Sequence, residues 1–112
     1  MISVCIATYN GEKYIYRQLE SILSQLNKSD EIIVSDDNST DKTLEIISEF
    51  RDVRIKVVNN AHVADYSNKR LPSYYRATYN FYNAIKYAAG DIIFFQIRMI
   101  FGIQIKFLRQ LF

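Results

Sequence analysis

Two short stretches of this sequence hold residues able to do chemistry. "TYNGE", Thr8 to Glu12, offers a hydroxyl, an aromatic ring and an amide directly after an apolar run. "VSDDNSTDKT", Val34 to Thr43, sets two carboxylates side by side after another apolar run. Adjacent carboxylates repel each other, so stability alone does not call for Asp36 and Asp37 at a strand end. A carboxylate accepts from the imide N–H of a base and from ribose hydroxyls. With a ring and an amide beside it, this set suits a nucleotide better than an acidic metabolite. Neither Gly-x-Gly-x-x-Gly nor Gly-x-x-x-x-Gly-Lys occurs, so a dinucleotide site and an ordinary ATP site lack support. The same residues also suit humbler roles. Thr8 and Asn10 fit a turn or cap, Tyr9 fits rim packing, Asp36 fits a helix cap, and Asp41 fits the dipole of that helix. Asp37 is left over, because a cap needs only one carboxylate.

The elements that must position these loops are legible from periodicity. "ISVCIA", Ile2 to Ala7, reads as a buried strand. From Glu12, apolar residues at Ile15, Leu19, Ile22, Leu23 and Leu26 follow helical spacing, which predicts a helix to about Leu26. "EIIVSD" is a second strand. "NSTDKTLEIISEF" opens on a cap signal and continues as a helix. "VRIKVV" is a third strand with period-2 alternation, and residues 59–73 read as a loop. "YYRATYNFYNAIKYAAG" is a third helix ending at Gly90, and "DIIFF" a fourth strand. This alternation predicts an α/β class: a Rossmann-like, mainly parallel sheet of about four strands with flanking helices. The two polar loops then lie at carboxyl ends of strands, where such sheets bind ligands.

Composition bounds the partners. At 112 residues, 49% of them hydrophobic, the chain is one domain with enough apolar residues for a core. A net charge of +2 argues for no nucleic acid and no membrane surface as partner. The single cysteine, Cys5, lies in an apolar strand, which rules out disulfide scaffolding and points to a reducing compartment. The single histidine, His62, excludes a His-rich metal cluster. The tyrosine-rich third helix suggests packing and surface residues, with no base-stacking role.

"ISVCIATYNGEKYIYRQLESILSQ" with "DEIIVSDDNSTDKTLEII" resembles the start of family 2 glycosyltransferases. The resemblance covers about residues 1–95 and is strongest over residues 2–47. It implies a nucleotide-diphospho-sugar transferase fold. It implies transfer of a sugar from a nucleotide-diphosphate sugar, such as a UDP- or dTDP-sugar, to a hydroxyl acceptor in surface polysaccharide synthesis. Thr8 and Tyr9 would border the base and Asp37 would bind its imide. Asn10, Glu12 and Asp36 complete the candidate donor-binding loops. Arg76 is the candidate for the diphosphate, set against a solvated charge on a helix face. The resemblance places the parent enzyme in the cytoplasm, at the inner face of the membrane and associated with it peripherally.

"NFYNAIKYAAGDIIFF" resembles the helix and strand that lead to the family's metal site, where Asp-x-Asp carboxylates hold Mg²⁺ or Mn²⁺. Here Phe95 is followed by "QIRMIFGIQIKFLRQLF", with no acidic residue after Asp91. The expected organisation is a nucleotide-sugar-binding half-domain over residues 1–95 and an aberrant apolar tail over 96–112, helical or loose. Gln96 to Gly102 can be written CAG ATC AGG ATG ATA TTT GGC. One extra T in front rereads it as Ser-Asp-Gln-Asp-Asp-Ile-Trp, which resembles the missing acidic motif, although only the Ser and the last Asp are forced by the code. The tail is therefore read as the product of a one-base deletion. No metal ligand and no catalytic base is assigned, and the chain is expected to be a truncated, inactive copy. The alternatives are a non-catalytic nucleotide-binding remnant and a receiver-like signalling domain whose acidic pair holds Mg²⁺. Against the latter, the third strand ends in amides, "RIKVVNN", with no phospho-acceptor Asp.

Overall fold

A computed structural model describes the backbone of residues 1–60, 73–99 and 102–109, and the side chains of residues 1–60 and 77–94. The elements run β1 (Ile2–Thr8), α1 (Ile15–Leu23), β2 (Glu31–Asp36), α2 (Thr43–Glu49), β3 (Ile55–Asn59), α3 (Ser73–Tyr87), β4 (Ile92–Met99) and β5 (Gly102–Arg109). The sheet order is β3-β2-β1-β4-β5. The first four strands are parallel, and β5 pairs antiparallel to β4. The expected α/β architecture with four parallel strands is present. The chain reverses direction across the sheet at β1 and β4, a switch point where a crevice opens beyond the carboxyl ends of the strands.

Strand alternation divides the core between the two faces. Val4, Ile6, Ile32 and Val34 point to one face, where α1 contributes Ile15, Leu19 and Ile22 and α2 contributes Ile47. Cys5, Ile33 and Ile93 point to the other, against Ala84 of α3. This period-2 sorting is why β1 and β2 read as continuous apolar runs: both faces are covered. The N-terminal edge is held by a buried carboxylate. Glu31 accepts from Ser3 Oγ at 2.6 Å, Ala89 N at 2.7 Å and Lys56 Nζ at 2.8 Å. Gly90 closes this corner. A Cβ there would lie 2.6 Å from Ser3 Oγ and 2.8 Å from the Met1 carbonyl oxygen, so no side chain fits.

Three boundaries differ from expectation. α1 starts at Ile15 instead of Glu12, because the Gly11 carbonyl accepts from both Tyr14 N and Ile15 N and turns the chain first. α3 ends at Tyr87, before Gly90. The tail is neither helical nor loose over 102–109: β4 continues across the Phe95–Gln96 position to Met99, and β5 returns beside it. The reason is visible in "GIQIKFLR", where Ile103, Ile105 and Phe107 alternate with Gln104 and Lys106 at the strand period. Most of the expected 59–73 loop, including His62, lies outside the described residues.

Candidate functional site

Parallel pairing puts the ends of β1 and β2 level, with Thr8 opposite Asp36. The Asp37 backbone N–H then donates to the Thr8 carbonyl at 2.9 Å, so the loops leave the sheet together. The acidic pair divides its work. Asp36 turns inward: it accepts from Thr8 Oγ1 at 2.8 Å, Ser39 Oγ at 2.6 Å and Ser39 N at 2.9 Å. Asp37, also buried, lines a cavity of about 250 Å³ together with Ala7, Thr8, Tyr9, Tyr14, Ala77 and Asn80. Asp36 does not cap α2, which begins at Thr43; it closes the turn after β2 through Ser39 instead, because the loop runs on before the helix starts. The second carboxylate, Asp37, lines the cavity.

The remaining loop residues act as latches. Asn10 adopts a left-handed backbone, φ 48°, which its short polar side chain tolerates. Its Oδ1 accepts from Thr40 N at 2.8 Å and Asp41 N at 3.3 Å, while its own N–H donates to Ser39 Oγ at 2.9 Å. Glu12 N donates to Asp41 Oδ2 at 3.1 Å, and Lys42 N donates to Glu12 Oε2 at 3.4 Å. Gly11 N donates to Thr43 Oγ1 at 2.8 Å. Asp41 also takes the Thr43 N–H and hydroxyl at the start of α2. Partial burial pushes the Asp41 carboxyl up, but the bonds from Thr43 and Glu12 outweigh it and hold the group below the usual carboxylate value.

Of the sequence candidates, the structure brings Thr8, Tyr9 and Asp37 to the cavity, with Tyr9 half exposed at its edge. Asn10, Glu12 and Asp36 sit beside it, bonded to the loops. Arg76 lies in the first turn of α3, next to the cavity-lining Ala77, and its side chain lies outside the described residues. Sequence reasoning missed Tyr14 and Asn80. Tyr14 packs so closely over Gly11 that a Cβ on Gly11 would lie 2.8 Å from the ring carbon Cζ. The pairing of glycine and tyrosine three residues apart was the available signal. Asn80 had none, because its role depends on how α3 crosses β1.

Cys5 belongs to the core, as expected, and burial followed by the charge of Glu31 pushes its thiol up to about 12. The Mg²⁺ or Mn²⁺ site expected of an intact relative is not matched by the residues present. The carboxyl end of β4 reads Gln96-Ile97-Arg98-Met99. Among the described residues, no three His, Cys, Asp or Glu are grouped to hold a cation. Among the same residues, no helix is long and apolar enough to cross a membrane.

Residues 3–96 match the family described as glycosyl transferase family 2. The chain belongs to that family. Membership displaces the receiver-like reading. This family 2 chain is 47% identical over 60 residues to the Escherichia coli UDP-Glc:alpha-D-GlcNAc-diphosphoundecaprenol beta-1,3-glucosyltransferase WfaP, covering 54% of this chain and 24% of that protein. It is 38% identical over 95 residues to the putative glycosyltransferase EpsE of Bacillus subtilis, covering 82% of this chain and 30% of that protein. The crystal structure of S. aureus TarS 1-349 superposes with a TM-score of 0.64 at 33% identity, covering 84% of this chain and 26% of that one. The Mycobacterium tuberculosis glucosyl-3-phosphoglycerate synthase, solved with Mn²⁺, UDP and phosphoglyceric acid, gives a TM-score of 0.65 at 25% identity, covering 85% and 31%. The family 2 chain spans between 22% and 33% of the length of its E. coli and Haemophilus influenzae relatives.

Proposed function

We propose that this chain forms the donor-nucleotide half of an enzyme that moves a sugar from a nucleotide-diphosphate sugar to a hydroxyl acceptor in surface polysaccharide synthesis. The observation that carries this reading is the convergence of Thr8, Tyr9 and Asp37 on one cavity at the carboxyl ends of β1 and β2. At about 250 Å³ the cavity lies below the roughly 300–1,000 Å³ of sites for drug-sized ligands, and suits a nucleoside better than a whole nucleotide sugar. Asp37 takes the base imide, and Thr8 and Tyr9 border the base. Asp36, Asn10 and Glu12 set the two loops, and Arg76 is the candidate for the diphosphate. S. aureus TarS has been solved with UDP and with UDP-GlcNAc, and a Shigella flexneri relative 52% identical over 46 residues is named a dTDP-rhamnosyl transferase, which supports a pyrimidine nucleotide of either kind. Two E. coli relatives are named for acceptors on diphosphoundecaprenol, which favours an enzyme at the inner face of the membrane.

In the transfer, the acceptor hydroxyl loses its proton and attacks the anomeric carbon as the nucleotide leaves. No residue of this chain is assigned as that base, and the end of β4 offers no carboxylate to a cation. The chain alone is therefore read as a nucleotide binder without transfer activity. Calorimetry with UDP, with and without Mn²⁺, tests this. Weak binding unchanged by Mn²⁺ is expected. Failure of the folded chain to bind any nucleotide overturns the reading, and Mn²⁺-dependent transfer from a UDP-sugar overturns the inactive part of it.

The tail after Phe95 is proposed to arise from a one-base deletion in the run of T that encodes Phe94-Phe95. Sequencing the gene around codon 95 decides this. Restoring one T should yield Ser-Asp-Gln-Asp-Asp-Ile-Trp, and codons that do not regenerate the acidic motif refute the deletion.

A further inference from the structure

Asn80 is buried on α3 and lines the cavity. Its Nδ2 donates to the Thr8 carbonyl at 3.1 Å, the same oxygen that takes the Asp37 backbone N–H. A carbonyl only accepts, so this contact fixes the amide's orientation: Nδ2 faces Thr8, and Oδ1 is left for something else. Among the described residues, Asn80 Oδ1 has no hydrogen-bond partner. Buried polar atoms without partners are uncommon in folded proteins, and one on a cavity wall points to a donor supplied from outside. Its neighbour on the helix makes a useful contrast. Asn83 is equally buried, but its Nδ2 is used by Ser35 Oγ at 2.9 Å and the Asn59 carbonyl at 3.2 Å, and it does not line the cavity.

We propose that Asn80 determines specificity in the nucleoside pocket, its Oδ1 accepting a hydrogen bond from an N–H or O–H of the bound nucleoside. This rests on the nucleotide reading above and extends it. The wall of the cavity then presents two acceptors, the Asp37 carboxylate and the Asn80 carbonyl oxygen. Neither group has a hydrogen to give in that direction, so a ligand reaching Asn80 must bring a donor to it. A uracil ring offers one imide N–H, and the ribose hydroxyls supply others. Ligands lacking those donors leave a buried acceptor unmet and bind less well.

The test is calorimetry of the full chain with uridine, N3-methyluridine, 2′-deoxyuridine and 3′-deoxyuridine, on the wild type, Asn80→Ala and Asn83→Ala. For the wild type, removing the donor that Asn80 meets should weaken binding by about tenfold or more. In Asn80→Ala that same penalty should shrink to about threefold or less, while Asn83→Ala retains it. The N3-methyl arm identifies the base N–H as the donor, and the deoxy arms identify a ribose hydroxyl. Should Asn80→Ala fail to melt cooperatively, Asn80→Ser takes its place, keeping a hydroxyl donor while withdrawing the amide oxygen. Penalties that are the same in the wild type and the Asn80 variant overturn the assignment while leaving the nucleotide pocket standing. A folded wild type that binds no nucleoside overturns both.

Discussion

Thr8 and Asp36 face each other across two parallel strands, and the threonine hydroxyl donates to the carboxylate at 2.8 Å. This buried contact welds the end of β1 to the end of β2. It leaves the next residue, Asp37, to line the cavity, so the buried pair divides into a loop-bonded carboxylate and a cavity-lining one.

That division predicts opposite phenotypes for neighbouring substitutions. Asp36→Ala removes the acceptor for Thr8 Oγ1, Ser39 Oγ and Ser39 N, and should cost about 2–3 kcal/mol in denaturant unfolding. Asp37→Asn keeps the shape of the side chain and should change stability by less than about 1 kcal/mol, while weakening UDP about tenfold or more by calorimetry. Equal stability losses in the two variants would contradict the division.

Asn10 is predicted to matter twice, through its left-handed backbone and through its side-chain oxygen. Asn10→Gly keeps the backbone freedom but loses the bonds from Thr40 and Asp41, so it should cost about 1 kcal/mol. Asn10→Ala loses both and should cost about 2 kcal/mol or more. The two unfolding midpoints compared under one condition check this, and the reverse order would show that backbone strain is not at issue.

Glu31 gives the fold an acid-sensitive corner. Burial acts to raise its pKa, but the bonds from Ala89, Lys56 and Ser3 prevail and hold the carboxylate below its ordinary value. Asp52, paired with Arg54, and Asp30, bonded by Asn27 and Ile2, are lowered in the same direction. A lowered folded pKa means stability that is complete above the unfolded value and is lost as pH falls through the folded one. Thermal melts should therefore fall progressively below the ordinary carboxylate range, and Glu31→Gln should lessen that dependence while costing about 2 kcal/mol at neutral pH. A Glu31→Gln variant with an unchanged acid slope would assign the sensitivity to the other carboxylates.

Cys5 should be silent in the folded chain. With its thiol pushed up to about 12 and no exposed surface, a thiol reagent at pH 8 should label it only on unfolding. Mass spectrometry with and without urea reads this directly, and fast labelling of the native chain would place β1 nearer the surface.

The order of the first seven elements, the two covered faces of the sheet and the two polar loops at the carboxyl ends of β1 and β2 could be read from the sequence. Apolar runs at strand period and apolar stripes at helical period report which face each residue buries, and that is local information. The start of α1 was misplaced because the Gly11 turn competes for the same residues, and the tail because the alternation after Gly102 was read as general apolarity. Three features depended on tertiary structure. Level pairing of β1 with β2 decided that Asp36 turns inward while Asp37 lines the cavity. The crossing of α3 over β1 brought Asn80 to the Thr8 carbonyl, 72 positions earlier in the chain. The packing of the Tyr14 ring over Gly11 set one wall of the site. Each depends on strand register or helix placement relative to distant residues, and no window of neighbouring residues contains that information.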